Sequence, residues 1–252
     1  MLILTYHHIC PEAAPEPRDF YTVDTARCRA HLEMLAAHGG QPGSVESLLA
    51  GTAAPRDYLL TFDDGTSDHW DVVRPFLQTH GLHGAFFVPT EKIGRRGYLT
   101  AGQVGALAAA GHEIGCHSHA HRRLDMMSEA EIQAQLTEAV DRLATLTGTA
   151  PRLFAPPGGY TDARVRRIAA GLGLRAQRTM AWGLNQPPRL DALECLPINR
   201  RLSTERFGKI LDGYGLGWLK SLYVGKQLLK RLLPMQAYAR LRDQLLRPTH
   251  PS

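Results

Sequence analysis

The sequence predicts an α/β protein built as a parallel (β/α) barrel. Short apolar runs typical of strands alternate with segments of helical spacing along most of the 252 residues. Several of these runs end directly in Asp, His or Pro-Gly, and parallel barrels carry their functional residues at the carboxyl ends of the strands. The length suits one large domain, and the repeats number nearer seven than eight.

Local patterns place the elements in order. The predicted strands are at 2–6, 58–62, 84–88, around 114, at 153–155 and at 174–179. The predicted helices are at about 24–38, 45–49, 68–80, 100–110, 128–146, 162–171 and 203–212. Thr100 is suited to an N-cap, and Ser128 with Glu131 forms a capping box. Residues 10–22 are predicted to form a loop, and Pro75 marks a kink or a first turn within its helix.

Two adjacent carboxylates follow the strand at 58–62. The run Leu59-Leu-Thr-Phe-Asp-Asp-Gly65 delivers Asp63 and Asp64 to the rim of the predicted sheet. Because side chains alternate along a strand, one carboxylate can bind a metal while the other faces a substrate. Gly65 permits a sharp exit from the strand. The alternative interpretation is an ordinary Asp-Asp-Gly turn.

A histidine cluster follows the strand around Ile114. Residues 112–121 read His-Glu-Ile-Gly-Cys-His-Ser-His-Ala-His, with His117 and His121 four positions apart and His119 between them. Neutral imidazole is a common ligand of zinc and similar ions. Two histidines and one aspartate form a typical catalytic set with open positions for water and substrate. The alternative is a solvated polar loop.

The two motifs together resemble those of a known family. Thr61-Phe-Asp-Asp-Gly65 and His117-Ser-His-Ala-His121 are similar to the first two motifs of the polysaccharide deacetylase family, the NodB-homology group or carbohydrate esterase family 4. The resemblance covers roughly residues 1–210 and implies a distorted, TIM-like (β/α)7 barrel. It also implies a divalent metal, Zn²⁺ first and Co²⁺ or Ni²⁺ as alternatives. Carried over to this chain, the general base is Asp63 and the metal ligands are Asp64, His117 and His121.

The amino-terminal strand resembles one branch of that family. Leu4-Thr-Tyr-His7 is similar to the branch that acts on poly-N-acetylglucosamine and related exopolysaccharides, as is Cys195–Arg200 to its last barrel strand. Most members carry a catalytic histidine late in the chain, yet this sequence has none between His121 and His250. In the branch the barrel is circularly permuted, which implies His7 as the general acid, with His8 as the fallback. Without the resemblance, a turn or a buried structural histidine is the better interpretation.

A third motif follows the strand at 153–155. The family often carries Arg-Pro-Pro-Tyr-Gly here, but Ala155 stands in the place of the arginine and Gly158 in that of the aromatic residue. A form of this kind resembles the exopolysaccharide branch, and it leaves open what positions Asp63. Gly158 N–H remains a candidate oxyanion donor. Tyr160 is a candidate cover for the acetyl pocket, with an exposed loop tyrosine as the equal alternative.

The resemblance also implies an apolar pocket for the acetyl methyl group. Trp182 and Leu184, in the run Thr179-Met-Ala-Trp-Gly-Leu-Asn-Gln186, are the candidates for it. The alternative for both is ordinary core packing.

Composition limits the class of protein. The four cysteines are scattered and include no C-x-x-C, so neither a disulfide framework nor a cysteine zinc site is predicted. The amino terminus lacks a basic region followed by an apolar core, so no signal peptide is predicted. No apolar run approaches the roughly 18 residues of a membrane span. A cytoplasmic location is the resulting expectation.

The basic charge is concentrated in the tail. Residues 200–252 hold 11 Lys or Arg against three acidic residues, whereas the remainder holds 18 against 21. A nucleic-acid-binding face is therefore not predicted. We expect a barrel domain at 1–212 and a basic helical extension at 213–252. Residues 218–247 either lie on an anionic membrane or, as we favour, pack on the barrel with their Lys and Arg in water.

The sequence thus favours a metal-dependent hydrolase that removes N-acetyl groups from a polysaccharide or a glycan precursor. Two alternatives stay open: a degenerate barrel that binds glycan or metal without turnover, and a metal amidase that acts on a non-sugar C–N bond.

Overall fold

A computed structural model of the protein describes residues 1–12, 20–212 and 221. Its strands, in chain order, are β1 Leu2–Tyr6, β2 His8–Cys10, β3 Thr22–Asp24, β4 Tyr58–Phe62, β5 Gly84–Val88, β6 Glu113–Cys116, β7 Leu153–Phe154, β8 Ala176–Trp182 and β9 Leu193–Pro197. Seven parallel strands close into a barrel in the order β1-β4-β5-β6-β7-β8-β9, and β2 pairs with β3 in a separate sheet. The predicted (β/α)7-type barrel is confirmed.

Helices follow most of the barrel strands. They are α1 Thr25–Ala37, α2 Val45–Ala50, α3 Arg74–Thr79, α4 Ala101–Ala109, α5 Glu129–Thr147, α6 Ala163–Gly171 and α7 Thr204–Leu211. The predicted caps are present: Thr100 caps α4 and the Ser128–Glu131 box caps α5. Each satisfies backbone N–H groups that the first helical turn leaves without partners.

Alternating strand residues divide between two apolar clusters. Leu4 and Leu60 belong to the cluster shared with the surrounding helices, whereas Ile3 and Leu59 belong to the cluster inside the barrel. Since successive side chains point to opposite faces, Asp63 continues the inward series of β4. The sequence pattern of β4 therefore aims Asp63 into the mouth of the barrel.

Strand β1 closes the barrel. It pairs with β4 on one side, where Tyr6 lies opposite Phe62, and with β9 on the other. The Asp63 N–H donates to the Tyr6 carbonyl at 3.0 Å. This pairing brings His7, the residue after β1, next to the aspartate pair after β4.

Two segments differ from the sequence prediction. The helix expected at 68–80 is a π-helical turn, His69–Val73, followed by α3, which has Pro75 in its first turn. Proline lacks an N–H and is tolerated there because first-turn N–H groups have no helical partner. In the expected loop at 10–22, residue Thr22 already begins β3, which pairs with β2.

No helix within the described ranges is both long and apolar enough to cross a membrane. The predicted helical extension at 213–252, and with it the two interpretations of residues 218–247, lies outside the described residues except for Ser221.

Candidate active site

Three predicted metal ligands converge at the carboxyl ends of β4 and β6. Asp64 Oδ1 lies 2.9 Å from His121 Nε2 and 3.3 Å from His117 Nε2. The three ligand atoms all lie within 4.8 Å of one another. His117 Nδ1 lies 2.5 Å from the Ala155 carbonyl oxygen, which can only accept a hydrogen bond. The Nδ1 atom therefore carries a proton, and Nε2 is the ring atom that faces Asp64.

The electrostatics of this cluster suit a cation. Burial alone would raise the pKa of Asp64, but hydrogen bonds to His117 and His121 outweigh it and hold that pKa far below its usual range. Burial likewise works to lower the pKa of His117, and the contact with Asp64 overturns it and raises the pKa. An ionised carboxylate oxygen beside two imidazole nitrogens is a donor set for zinc and similar divalent ions. The residues present therefore fit a divalent metal.

The backbone is left-handed at the cluster. Asp64, Ser118 and His121 have φ values of 78°, 61° and 54°, and they are the positive-φ residues other than glycine in the described part of the chain. Such conformations are unfavourable for L-residues and persist where the surrounding structure enforces them. Two of the three are candidate metal ligands, so the strained positions coincide with the site.

The loop after β5 supports the histidine loop. The Thr90 and Glu91 N–H groups donate to the carbonyls of Ser118 and His119 at 3.2 and 3.0 Å. The His119 ring itself is hydrogen-bonded through Nδ1 to Thr90 Oγ1 at 2.9 Å. The middle histidine of the motif is thus engaged with the loop after β5, while the outer two face Asp64.

The predicted base has a partner that the sequence analysis missed. Asp63 Oδ2 accepts a hydrogen bond from Arg178 of β8, and both side chains are almost completely buried. Ala155, which stands in the place of the arginine that the family often carries, directly follows β7, the barrel strand that pairs with β8. The available signal was an arginine within the predicted strand at 174–179, which holds Arg175 as well, and periodicity alone does not connect either of them to Asp63.

His7, rather than His8, lies beside Asp63. His7 Nε2 is 3.9 Å from Asp63 Oδ2, and the His7 side chain is 14% exposed. Burial lowers the pKa of His7, and the nearby Asp63 and Asp64 partly oppose that effect. His8 faces the other way, with Nδ1 3.6 Å from Asp68 Oδ1.

Ala155, the first residue of the third motif, contacts the candidate metal ligands, because its carbonyl accepts a hydrogen bond from His117. Gly158 has φ 64° within the short 3-10 turn Pro157–Gly159. A Cβ atom at Gly158 would lie 2.8 Å from the Tyr160 ring, so that ring packs directly on the glycine. The guanidinium of Arg123 covers the Tyr160 ring at 3.7 Å from its centroid. Gly158 N–H as an oxyanion donor and Tyr160 as an acetyl cover remain predictions.

The two proposed pocket residues lie after a register shift in β8. Trp182 is partly buried and pairs with Cys195 of β9, and the irregularity falls between Arg178 and Trp182. Leu184 is 39% exposed and precedes Asn185, whose N–H donates to the Met1 carbonyl at 3.1 Å. Met1 precedes β1, at the opposite end of that strand from His7. The structure therefore does not bring Leu184 to the cluster of Asp64, His117 and His121. The role of Trp182 in a pocket for the acetyl methyl group remains a prediction.

The fold and this site define a class: a closed seven-stranded parallel barrel with an Asp-His-His donor set and a buried aspartate at the carboxyl ends of its strands. The family model described as polysaccharide deacetylase matches residues 50–177, about half of the chain. The chain belongs to the polysaccharide deacetylase family, which confirms the resemblance.

Sequence relatives and solved structures agree with this assignment. A chitin deacetylase from Pestalotiopsis is 29% identical over 129 residues, 51% of this chain and 43% of the relative. The chain thus spans less than half of the length of that relative. Among solved structures, the Streptococcus pyogenes deacetylase PplD has a TM-score of 0.74 at 22% identity, over 82% of this chain and 95% of that one. IcaB from Ammonifex degensii has a TM-score of 0.74 at 19% identity, over 87% and 96%. These likenesses to structures support the fold.

Proposed function

We propose that the protein is a metal-dependent hydrolase that removes N-acetyl groups from an amino-sugar polysaccharide or glycan precursor. The observation that carries the proposal is the placement of Asp63. One of its carboxylate oxygens is held by Arg178, His7 lies 3.9 Å away, and the next residue, Asp64, belongs to the Asp-His-His donor set.

The donor set Asp64, His117 and His121 would hold the metal. One carboxylate oxygen and two imidazole nitrogens favour Zn²⁺, with Co²⁺ and Ni²⁺ as alternatives. A divalent ion in this site supplies Lewis acidity toward the acetyl carbonyl and the attacking water. The bond from His117 Nδ1 to the Ala155 carbonyl fixes the tautomer and orientation of that ligand.

Asp63 is suited to remove the proton from the attacking water. Arg178 occupies Oδ2, while Oδ1 is buried and has no hydrogen-bond partner among the described residues. A buried acceptor without a partner is unusual in a folded protein and marks a position for a ligand or reactant. The hydrogen bond from Arg178 to Oδ2 fixes the orientation of the carboxylate, and with it the direction in which Oδ1 points.

His7 is suited to protonate the leaving amine. Its Nε2 lies 3.9 Å from Asp63 Oδ2, the oxygen that also accepts from Arg178. Burial makes the protonated imidazole a stronger acid by lowering the pKa of His7. The Asp63 carboxylate, 3.9 Å away, stabilises the imidazolium when it forms. Gly158 N–H is the proposed donor to the developing oxyanion.

The test is acetate release from N-acetylglucosamine oligomers by protein that has been stripped of metal with a chelator and then reloaded with Zn²⁺. We expect release that returns with Zn²⁺. Asp63→Asn should abolish turnover while it retains Zn²⁺ binding, and Asp64→Asn should lose both. Turnover that survives in Asp63→Asn would contradict the assigned base.

The structure weakens the case for a non-catalytic barrel. That alternative was motivated by Ala155, in the place of the family arginine, and by the missing late histidine. Arg178 supplies a guanidinium to Asp63, and His7 lies 3.9 Å from the same carboxylate. A metal amidase acting on a non-sugar amide is distinguished by a substrate panel: hydrolysis of simple N-acetyl amides with no hydrolysis of any N-acetylated glycan would favour it.

A further inference from the structure

We propose that Asp68 and His69 are positioning residues that, together with Tyr21, fix the His7 imidazole in place for proton donation. The inference rests on the proposed function, in which His7 protonates the leaving amine. It assigns a role to the segment that directly follows the Asp63-Asp64-Gly65 motif in sequence.

His69 holds the main chain of His7. Its Nε2 lies 2.8 Å from the His7 carbonyl oxygen, and since that oxygen only accepts, His69 donates the hydrogen bond. The His69 side chain is completely buried and packs against the Phe62 and Phe86 rings, at centroid distances of 5.8 and 5.6 Å. A buried imidazole with an apolar surround and one directed hydrogen bond gives the His7 carbonyl a fixed position.

Asp68 holds the chain two residues further on. Its Oδ2 accepts the Ile9 N–H at 2.8 Å, and its Oδ1 lies 3.6 Å from His8 Nδ1. His69 and Asp68 therefore form hydrogen bonds to the backbone on either side of His8, at the His7 carbonyl and the Ile9 N–H. In this arrangement His8 lies beside Asp68 and His7 lies beside Asp63.

Tyr21 fixes the face of the His7 ring. The two rings stack with centroids 4.5 Å apart and an angle of 23° between their planes. The parallel register of β2 and β3 pairs His8 with Thr22, so it sets the preceding residues, His7 and Tyr21, side by side. His7 is thus restrained at three places: its carbonyl binds His69, the N–H of Ile9 binds Asp68, and its ring stacks on Tyr21.

The restraint acts on proton transfer because His7 Nε2 must reach the leaving nitrogen from a position 3.9 Å from Asp63 Oδ2. Misplacement of a catalytic group by about 1 Å can reduce the rate on the order of 10²-fold. Loss of the restraint should therefore slow only reactions in which the leaving group needs a proton.

The experiment compares two substrates with the Zn²⁺-loaded protein. An N-acetylglucosamine oligomer has an amine leaving group that must be protonated, whereas 4-nitrophenyl acetate releases a phenolate that needs no proton. We expect His69→Leu to lower kcat on the amide by roughly 10- to 100-fold, a part of the roughly 10²- to 10⁴-fold that general acid catalysis supplies, and to change kcat on the ester by less than about threefold. His69→Gln keeps an N–H donor and should recover part of the amide rate.

Two further variants keep the test independent of folding. Asp68→Ala removes the Ile9 acceptor at a partly exposed residue, and Asp68→Asn retains an acceptor, so the amide rate should fall only in the first. His112→Gln is the matched control: His112 is also buried and also packs against Phe86, but it binds Gly84 N–H at the start of β5. It should leave the ratio of the two rates unchanged.

Equal loss on both substrates in His69→Leu and Asp68→Ala, with Zn²⁺ affinity retained, would overturn the positioning role and leave the proposed function intact. Wild-type protein that hydrolyses neither substrate with any metal would overturn the proposed function and this role with it.

Discussion

Arg178 of β8 reaches across the inside of the barrel to donate a hydrogen bond to Asp63 at the end of β4. Their side chains are 3% and 4% exposed, so the ion pair is essentially removed from water. The other hydrogen-bond acceptors near the guanidinium are sulfur and carbonyl atoms, including Met180 Sδ at 3.2 Å and Cys195 Sγ at 3.8 Å, and the Phe87 ring centroid lies 5.1 Å from Arg178 Cζ. Asp63 is the only carboxylate that this arginine contacts in the described part of the chain.

The first prediction concerns this pair. Arg178→Met should lower the free energy of unfolding by about 3–5 kcal/mol, because it leaves the Asp63 charge buried without its guanidinium. Addition of Asp63→Asn should recover much of that loss, since the amide carries no charge. Urea unfolding of the two single variants and the double variant measures the coupling. Strictly additive losses would show that the pair does not act as a unit.

The second prediction concerns the metal ligands. His117→Ala and His121→Ala should each weaken Zn²⁺ binding by at least about 100-fold, because each removes one of three protein donors. His119→Ala is the matched control from the same loop, and its affinity should stay within a few-fold, since the His119 ring binds Thr90. Titration calorimetry on chelator-treated protein gives the affinities. A comparable loss in His119→Ala would place the metal elsewhere in the loop.

The third prediction compares two glycines. Gly65 has φ 61°, and a Cβ there would lie 3.1 Å from Val88 Cγ1, so Gly65→Ala should destabilise the fold by about 1–2 kcal/mol. Gly102 is the second residue of α4, and an added Cβ there would point into open space. Gly102→Ala should therefore stabilise by about 0.5–1 kcal/mol. Thermal or urea unfolding would reveal opposite signs, and equal signs would contradict the conformational argument.

The fourth prediction is a pH dependence of stability. Burial lowers the pKa of His31 from 6.5 to about 4, and the ring is bonded to the Tyr6 hydroxyl at 3.1 Å. Between pH 6.5 and pH 4, His31 is protonated in the unfolded chain but stays neutral in the folded protein. The free energy of unfolding that His31 contributes above pH 6.5 is therefore lost as the pH falls toward 4. For His31 alone the loss between pH 7.5 and pH 5 is about 2 kcal/mol.

His31→Leu should remove that part of the pH dependence, whatever its effect on stability at neutral pH. Urea unfolding of both proteins at pH 7.5 and pH 5 provides the comparison. If the two proteins lose the same free energy over this interval, His31 is not among the groups responsible.

The residues found from sequence share one property: their signal is local. Asp63, Asp64, His117 and His121 follow apolar runs within a few positions, so the carboxyl ends of β4 and β6 could be identified without a structure. Both strands pair in parallel with β5, so their carboxyl ends meet at one rim of the barrel.

The residues that were missed or misplaced depend on distant pairing. Arg178 belongs to the site because it binds Asp63, which lies 115 positions away in sequence. Leu184 was proposed because the resemblance implies an acetyl pocket in this part of the barrel, but after the register shift in β8 the next residue, Asn185, bonds to Met1. Tyr21 lay in an expected loop, and only the pairing of β2 with β3 sets it against His7.

The closure of the barrel by β1 has a consequence for the order of folding. His7 follows the first strand, whereas Arg178 comes from the strand before β9, and β9 must pair with β1 at Leu4 and Thr5. Until β9 has been synthesised, one edge of β1 has no neighbour, and an open edge of this kind is prone to pair with other chains. His7 and Arg178 therefore take their final positions beside Asp63 only after β9 has paired with β1. A nascent chain acquires its active-site geometry late in synthesis.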